Sequence, residues 1–160
     1  MSFWSVVWEH LREEGTIMWV ASLPVVELRG AIPLGVAMGM APLEAFFFGV
    51  IGNMLPIPLL LLFLQPVSQR LRRTRPMRAL VDWLLARGER KSASVRRYGL
   101  AGLALFVAVP VPGTGAWTGA IIASLLGFRF WPAFWALLVG TLGAGIIVSI
   151  LVLMGTGSIG

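Results

Sequence analysis

Two charged side chains of opposite sign stand close together in a stretch of the chain that is otherwise apolar. Between residues 16 and 39, Glu27 and Arg29 are the charged side chains. A charge held at bilayer depth costs about 2.5–3.5 kcal/mol on insertion scales, and such charges commonly mark proton or substrate pathways. A guanidinium can also bind a phosphate through two parallel hydrogen bonds. We therefore predict Glu27 as a proton-coupling group and Arg29 as a substrate-binding group.

The elements that position this pair are predicted to be irregular. A continuous helix would direct side chains two positions apart about 200° away from each other. Pro24, Gly30 and Pro33 argue against a continuous helix, because proline removes a backbone donor and clashes with the preceding turn. Backbone N–H and C=O groups that lose their helical hydrogen bonds are tolerated at membrane depth where protein groups or a water-filled cavity can bond to them. The pattern predicts a broken or re-entrant element lining a polar pocket, with Gly30 and Pro33 also binding substrate.

A second broken segment follows later in the chain. Residues 98–126 contain no charged side chain, yet their middle is rich in proline and glycine. Glycine permits a tight reversal, and broken transmembrane helices can present their backbone amides to a ligand. The residues predicted to bind substrate here are Pro110, Pro112, Gly113, Thr114, Gly115, Trp117 and Thr118.

The composition predicts an all-α integral membrane protein. Hydrophobic residues make up 58% of the chain and charged residues 12%, against about 25% charged residues in ordinary soluble domains. Residues 40–64 and 130–154 are each long enough to span a bilayer as one helix. Pro56 and Pro58 are expected to kink the far end of the first span. Asn53, in its middle, is either a hydrogen-bonding contact between helices or a pocket group.

Positive charge is concentrated between the two apolar halves. Ten Lys and Arg side chains lie between residues 70 and 97, against two acidic ones. Short loops rich in Lys and Arg mark the cytoplasmic side, and the segment lacks a nucleic-acid recognition motif, so we predict no nucleic-acid partner. Apolar residues at helical spacing from Met77 to Leu85 predict a short amphipathic helix on the headgroups. Residues 1–15 are likewise predicted to form an interfacial helix.

An internal repeat organises the predicted domain. Each half has a broken apolar segment followed by a clean span, and Gly52 matches Gly140 at a spacing of 88. Two broken hairpins, each followed by one crossing, require opposite orientations of the halves. We predict one membrane domain over residues 1–160, with two inverted repeats at 16–64 and 98–155, a cytoplasmic linker at 65–97 and both termini outside. Four full spans would instead place both termini in the cytoplasm.

Two stretches of the chain resemble known signature motifs. Residues 27–33 (ELRGAIP) and 110–119 (PVPGTGAWTG) are similar to the signatures of the small multi-drug export protein family. A more distant resemblance connects the chain to the DedA membrane proteins. That second resemblance implies two facing re-entrant hairpins and a role in moving undecaprenyl phosphate or other lipids with the proton gradient.

We expect a proton-linked secondary transporter or flippase of an amphiphilic, phosphate-bearing lipid in the cell membrane, crossing it several times. The alternatives are export of cationic drugs, a non-transporting assembly factor or scramblase, and a purely structural pairing of Glu27 with Arg29. The chain contains no Cys and one His, and it has neither a catalytic triad nor a phosphate-binding loop. We therefore expect no enzymatic activity, no cofactor and no metal. Membrane lipids and a second copy of the chain are the expected partners.

Overall fold

A computed structural model of the chain describes residues 3–71, 95, 97–111 and 113–157, and the regular elements in these ranges are all helices. This confirms the all-α prediction. The described helices are α1 (Phe3–Ser22), α2 (Glu27–Ala37), α3 (Pro42–Met54), α4 (Ile57–Leu71), α5 (Arg97–Ala108), α6 (Ala116–Leu125) and α7 (Phe130–Gly155).

The first helix is longer than the predicted interfacial segment. Helix α1 runs without interruption from Phe3 to Ser22, so residues 1–15 and the start of the first repeat are not separated by a break. The chain then leaves helical geometry at residues 23–26 and enters α2 at Glu27. Pro24 lies in this break, but Gly30 and Pro33, which were expected to break the helix as well, lie inside α2. Leu28, Ala31 and Ile32 of α2 are buried, and their packing holds the helix despite the missing Pro33 donor.

Within the described residues, two helical stretches are long and apolar enough to cross a membrane. They are Pro42–Leu64, with 23 residues, and Phe130–Gly155, with 26. At 1.5 Å per residue the second measures about 39 Å, more than the hydrocarbon core of about 30 Å. Both predicted spans are thus found, but the first is interrupted at Leu55 and Pro56, near its middle and not at its far end.

The predicted linker is helical at its start. Helix α4 continues to Leu71, into the segment 65–97 that was expected to be a linker. The predicted amphipathic helix from Met77 to Leu85 lies outside the described residues.

The chain divides into two compact units, and α7 contributes residues to each of them. The first unit comprises Met1–Leu55 and Leu142–Gly160, and the second comprises Pro56–Thr141. In the first unit, α1, α2 and α3 pack on one another, and the C-terminal part of α7 adds Ala144 and Val148 to their core. Ile17, Leu28 and Ile32 are completely or almost completely buried there.

The second unit uses close helix contacts of the same kind. Helix α4 packs against α6, and Gly119 of α6 lies against Leu137 and Val107. Gly140 of α7 approaches the backbone of α5, since a Cβ placed there would lie 2.6 Å from the carbonyl oxygen of Ala104. In the first unit Gly52 approaches the backbone of Met18 in α1 in the corresponding way. Small residues at such positions let helix backbones approach closely in membranes.

The same turn occurs in both halves at a spacing of 88 residues. Gly39 follows the C-cap residue of α2 with φ +95°, and Gly127 follows the C-cap residue of α6 with φ +74°. The amide of the next residue reaches back five positions in each case, from Met40 to Gly35 and from Phe128 to Ala123, over 3.0 Å. This is a Schellman motif, which requires a left-handed residue and so favours glycine. The two halves therefore share this turn down to its hydrogen bonds. The inverted orientation of the halves and the re-entrant path of the chain stay predictions.

Candidate functional site

Glu27 has an unusual backbone conformation at the break between α1 and α2. Its φ is +52°, which makes it the one residue other than glycine with positive φ among those that the structure describes. The left-handed conformation costs a side-chain-bearing residue roughly 1–2 kcal/mol. Glu27 is also buried, with 6% of its surface exposed, and its amide donates to the carbonyl of Leu23 over 3.1 Å. Strained and buried polar residues cluster at functional sites, because the surrounding structure must hold them in place.

Arg29 lies two residues further on and interacts electrostatically with Glu27. It is half-buried. In a continuous helix, side chains two positions apart would point away from each other. This does not apply to Glu27 and Arg29, because Glu27 starts α2 with left-handed backbone. A buried charge is strongly disfavoured unless it is paired. The structure therefore brings together the two charged residues singled out from the sequence.

Gly30 and Pro33 continue the same helix. A Cβ at Gly30 would collide with Cγ1 of Val26, and the Gly30 amide donates to the Val26 carbonyl over 3.2 Å. Gly30 thus allows the chain to close the first turn after the break. Pro33 is half-buried inside α2. Their predicted contact with substrate stays a prediction.

The second predicted segment forms a turn between α5 and α6 that is stabilised by Thr114. The Thr114 hydroxyl lies 2.7 Å from the carbonyl oxygen of Val109 and 2.8 Å from that of Val111, and it can donate its hydrogen to either. The Thr114 amide also donates to the Val111 carbonyl over 3.1 Å. Thr114 is buried, and Gly113 beside it has a φ of +82° that suits glycine. The Thr114 hydroxyl therefore stabilises the turn, and the predicted contact of Thr114 with substrate stays a prediction.

The remaining predicted residues surround the start of α6. Gly115 caps this helix and is buried, while Pro110, Trp117 and Thr118 are half-buried. Pro112 lies outside the described residues. Glu27 and Arg29 belong to the first unit and this turn to the second, and a common pocket stays a prediction.

Two buried polar side chains occupy equivalent positions in the two halves. Asn53 is 1% exposed and Thr141, 88 positions later, is 0% exposed. Neither the Asn53 amide nor the Thr141 hydroxyl has a hydrogen-bonding partner within the described part of the chain. Buried polar atoms are nearly always hydrogen-bonded, so an unsatisfied pair at equivalent positions needs an explanation. Asn53 was singled out from the sequence, whereas Thr141 was missed, although the spacing of 88 from Asn53 could have identified it.

No cluster of three or more His, Cys, Asp or Glu side chains that could hold a metal ion occurs within the described ranges. The first unit contributes the interacting charges of Glu27 and Arg29 and the unsatisfied Asn53. The second unit contributes the turn stabilised by Thr114 and the unsatisfied Thr141. Groups of this kind can bind and release a proton or a polar ligand.

Comparison with known proteins identifies the family. No curated protein and no solved structure matches the chain. A family model described as "Putative small multi-drug export protein" matches residues 27–147, which begin at Glu27 and include the turn between α5 and α6. The more distant resemblance to DedA proteins is not shown. Because the match covers most of the 160 residues, the chain belongs to this family of small multi-drug export membrane proteins.

Proposed function

We propose that the chain is a secondary transporter of the cell membrane that exports amphiphilic small molecules and couples their movement to protons at Glu27. Membership of a drug-export family supports the export of small molecules. The observation that carries the coupling proposal is the environment of Glu27. This residue is buried, its backbone is left-handed, and it interacts electrostatically with Arg29.

The proposed mechanism uses competition for one carboxylate. Ionised Glu27 is stabilised by Arg29, and a proton bound to Glu27 removes that stabilisation. Arg29 would then lose the opposite charge of Glu27, which is costly for a half-buried cation in a medium of low dielectric constant. Protonation thereby favours a rearrangement at the break between α1 and α2, where backbone strain is already stored. A cationic substrate that competes with Arg29 for the Glu27 carboxylate would weaken the same interaction.

The Glu27→Gln variant tests this proposal. Gln is close to Glu in shape but cannot ionise, so we expect the folded variant to lose pH-driven accumulation of a quaternary ammonium dye in proteoliposomes. Glu44→Gln is a matched control, because Glu44 is exposed and accepts a hydrogen bond from the Ala41 amide, which Gln can also do. Unaltered pH-driven uptake by Glu27→Gln would remove Glu27 from the coupling step.

A phosphate-bearing lipid is a second candidate substrate, and the half-buried guanidinium of Arg29 favours it. Arg29→Lys keeps the charge but loses the planar two-point contact, so binding of a labelled lipid phosphate should weaken, and Arg29→Ala should weaken it further. For a cationic substrate, Arg29→Ala should instead strengthen dye binding, because Glu27 is no longer neutralised. Undiminished lipid-phosphate binding by folded Arg29→Ala would exclude the anion-binding role.

The proposed arrangement crosses the membrane several times, with both termini outside. Because the native chain has no Cys, single cysteines at residues 5 and 157 can be labelled with an impermeant reagent in intact cells. Labelling of both positions is expected. Protection of both would favour four full spans and exclude the re-entrant arrangement.

A further inference from the structure

The first turn of α2 is tighter than an ordinary helical turn. In an α-helix, the Cβ atoms of residues four positions apart are about 5–6 Å from each other. A Cβ built on Gly30 would lie 3.6 Å from the Cβ of Val26 and would collide with Cγ1 of that residue. Glu27 lies between the two with left-handed backbone, which changes the direction of the chain as it enters α2. The left-handed conformation of Glu27 thus brings Val26 over position 30.

We propose that Gly30 is a positioning residue for the Glu27 carboxylate. Because Gly30 has no Cβ, the Val26 side chain can lie over it. Glu27 can then keep the backbone conformation in which it is buried and interacts with Arg29. This role differs from the contact with substrate that the sequence predicts for Gly30, since Gly30 acts here through Glu27. The inference rests on the proposed function, in which Glu27 couples transport to protons.

Val26 has little freedom to move away from a larger residue at position 30. Its backbone is right-handed helical, with φ −87° and ψ −48°, and a valine on such backbone strongly prefers one χ1 rotamer. Its carbonyl also accepts a hydrogen bond from the Gly30 amide over 3.2 Å. The Glu27 amide in turn donates to the Leu23 carbonyl over 3.1 Å. A Cβ at position 30 would therefore displace the break itself, including Glu27.

The second half of the chain shows what is tolerated where the left-handed residue is missing. At a spacing of 88, the residues equivalent to Val26, Glu27 and Gly30 are Thr114, Gly115 and Thr118. Gly115 has φ −80°, so the position equivalent to Glu27 is not left-handed. Two residues branched at Cβ, four positions apart, are compatible with this entry into α6. The need for glycine at position 30 therefore follows from the conformation of Glu27 and not from the repeated fold.

A displaced break would change the surroundings of Glu27. Residues other than glycine avoid left-handed backbone, so Glu27 keeps it only while the neighbouring structure holds it. Once Val26 is pushed aside, Glu27 can return to right-handed backbone, which moves its side chain relative to Arg29. An opposite charge nearby shifts the pKa of a carboxyl group by about one to three units. The pH at which Glu27 binds its proton therefore reports whether position 30 holds it in place.

The test uses the full chain in liposomes and compares Gly30→Ala, Val26→Ala and the double variant. With alanine at position 26 the colliding Cγ1 is gone, and the remaining 3.6 Å between the two Cβ atoms is ordinary van der Waals contact. We expect Gly30→Ala to lower pH-driven uptake of the quaternary ammonium dye about tenfold, because overfilling disfavours the parent conformation. The double variant should restore uptake, and Val26→Ala alone should resemble the parent.

Infrared difference spectroscopy supplies a measurement that needs no transport. The protonated carboxyl band of Glu27 is identified by its absence from Glu27→Gln, and its intensity is followed against pH. Gly30→Ala should move the midpoint pH of this band by about one unit, because the interaction with Arg29 changes. Adding Val26→Ala to the same chain should return the midpoint to the parent value.

Gly35→Ala is the matched control. Gly35 lies in the same helix, and its added Cβ would lie 2.9 Å from the Cβ of Ala45 in α3. The variant should lower the stability of the chain, yet the Glu27 band should keep its midpoint, and Val26→Ala should not compensate. A merely structural glycine at position 30 would behave in the same way as Gly35.

An unshifted Glu27 band in folded Gly30→Ala would overturn the proposal, whatever happens to uptake. A shift that Val26→Ala does not reverse, or an equal shift in Gly35→Ala, would overturn it as well. If Gly30→Ala does not fold, the double variant decides, because we expect it to fold with the parent's midpoint and its failure to do either would refute the role of Gly30. A shifted and restored band in a chain without pH-driven uptake would refute the transport proposal alone.

Discussion

The close contact between Gly52 and α1 allows a quantitative test of helix packing in the first unit. A Cβ added to Gly52 would lie 2.6 Å from the Cα of Met18 and 2.8 Å from its carbonyl carbon, and closer still to the carbonyl oxygen. Ordinary contacts of a Cβ begin at 3.4 Å. These neighbours are backbone atoms, which cannot rotate away as a side chain can. The carbonyl oxygen of Met18 is the nearest atom, at 2.4 Å, so Gly52→Ala forces α1 and α3 apart by about 1 Å.

The size of the effect follows from two opposing terms. Overfilling a packed interior typically costs about 1–3 kcal/mol. If α1 and α3 separate by about 0.5–1 Å, each dispersion contact between them loses a quarter to a half of its energy. The cost of Gly52→Ala therefore lies in the upper part of the range of about 1–3 kcal/mol. Alanine is favoured over glycine in a helix by about 1 kcal/mol, which offsets part of it. We expect Gly52→Ala to lower the free energy of unfolding by about 2 kcal/mol.

The assay is reversible unfolding in mixed micelles with increasing SDS, followed by tryptophan fluorescence. Gly15→Ala is the control, because Gly15 lies in α1 and its added Cβ would meet no packing neighbour within 4 Å among the described residues. That variant should gain about 0.5–1 kcal/mol from helix propensity alone. If Gly52→Ala is as stable as the parent or more stable, α1 and α3 do not approach each other as closely as described.

Three further substitutions test individual features of the fold and the site. Gly39→Ala should lower stability by about 1–2 kcal/mol in the same unfolding assay, because a side chain is forced into left-handed backbone although the space around it is open. Thr141→Val should raise stability by about 1–3 kcal/mol, because it removes a buried hydroxyl without a described partner, and a loss of stability would show that the hydroxyl is bonded. Thr114→Val should lower stability by about 1 kcal/mol, because the turn between α5 and α6 loses its side-chain hydrogen bond. Thr114→Ser should keep this hydrogen bond, and equal stabilities of the two variants would contradict the role of the hydroxyl in the turn.

Much of the helical framework follows from local sequence. The second span could be predicted almost to the residue, as 130–154 against an observed Phe130–Gly155, because this long apolar run contains no charged side chain. The interruption between α5 and α6 was also predictable, since Pro110 and Gly113 disfavour helix locally. The pairing of Glu27 with Arg29 was noticed for a similar reason, because charges are conspicuous in an apolar stretch.

Tertiary packing decided what these local rules left open. Gly30 and Pro33 are poor helix residues, yet α2 continues through both because Leu28 and Ile32 are buried in the first unit. The left-handed conformation of Glu27 could not be predicted either, since isolated residues avoid it and only the surrounding structure holds it. The burial of the unsatisfied Asn53 amide and Thr141 hydroxyl likewise depends on contacts between residues far apart in the chain. Sequence determines which segments are apolar and where the backbone is easily broken, whereas the positions of buried polar atoms are decided by the packing of whole helices.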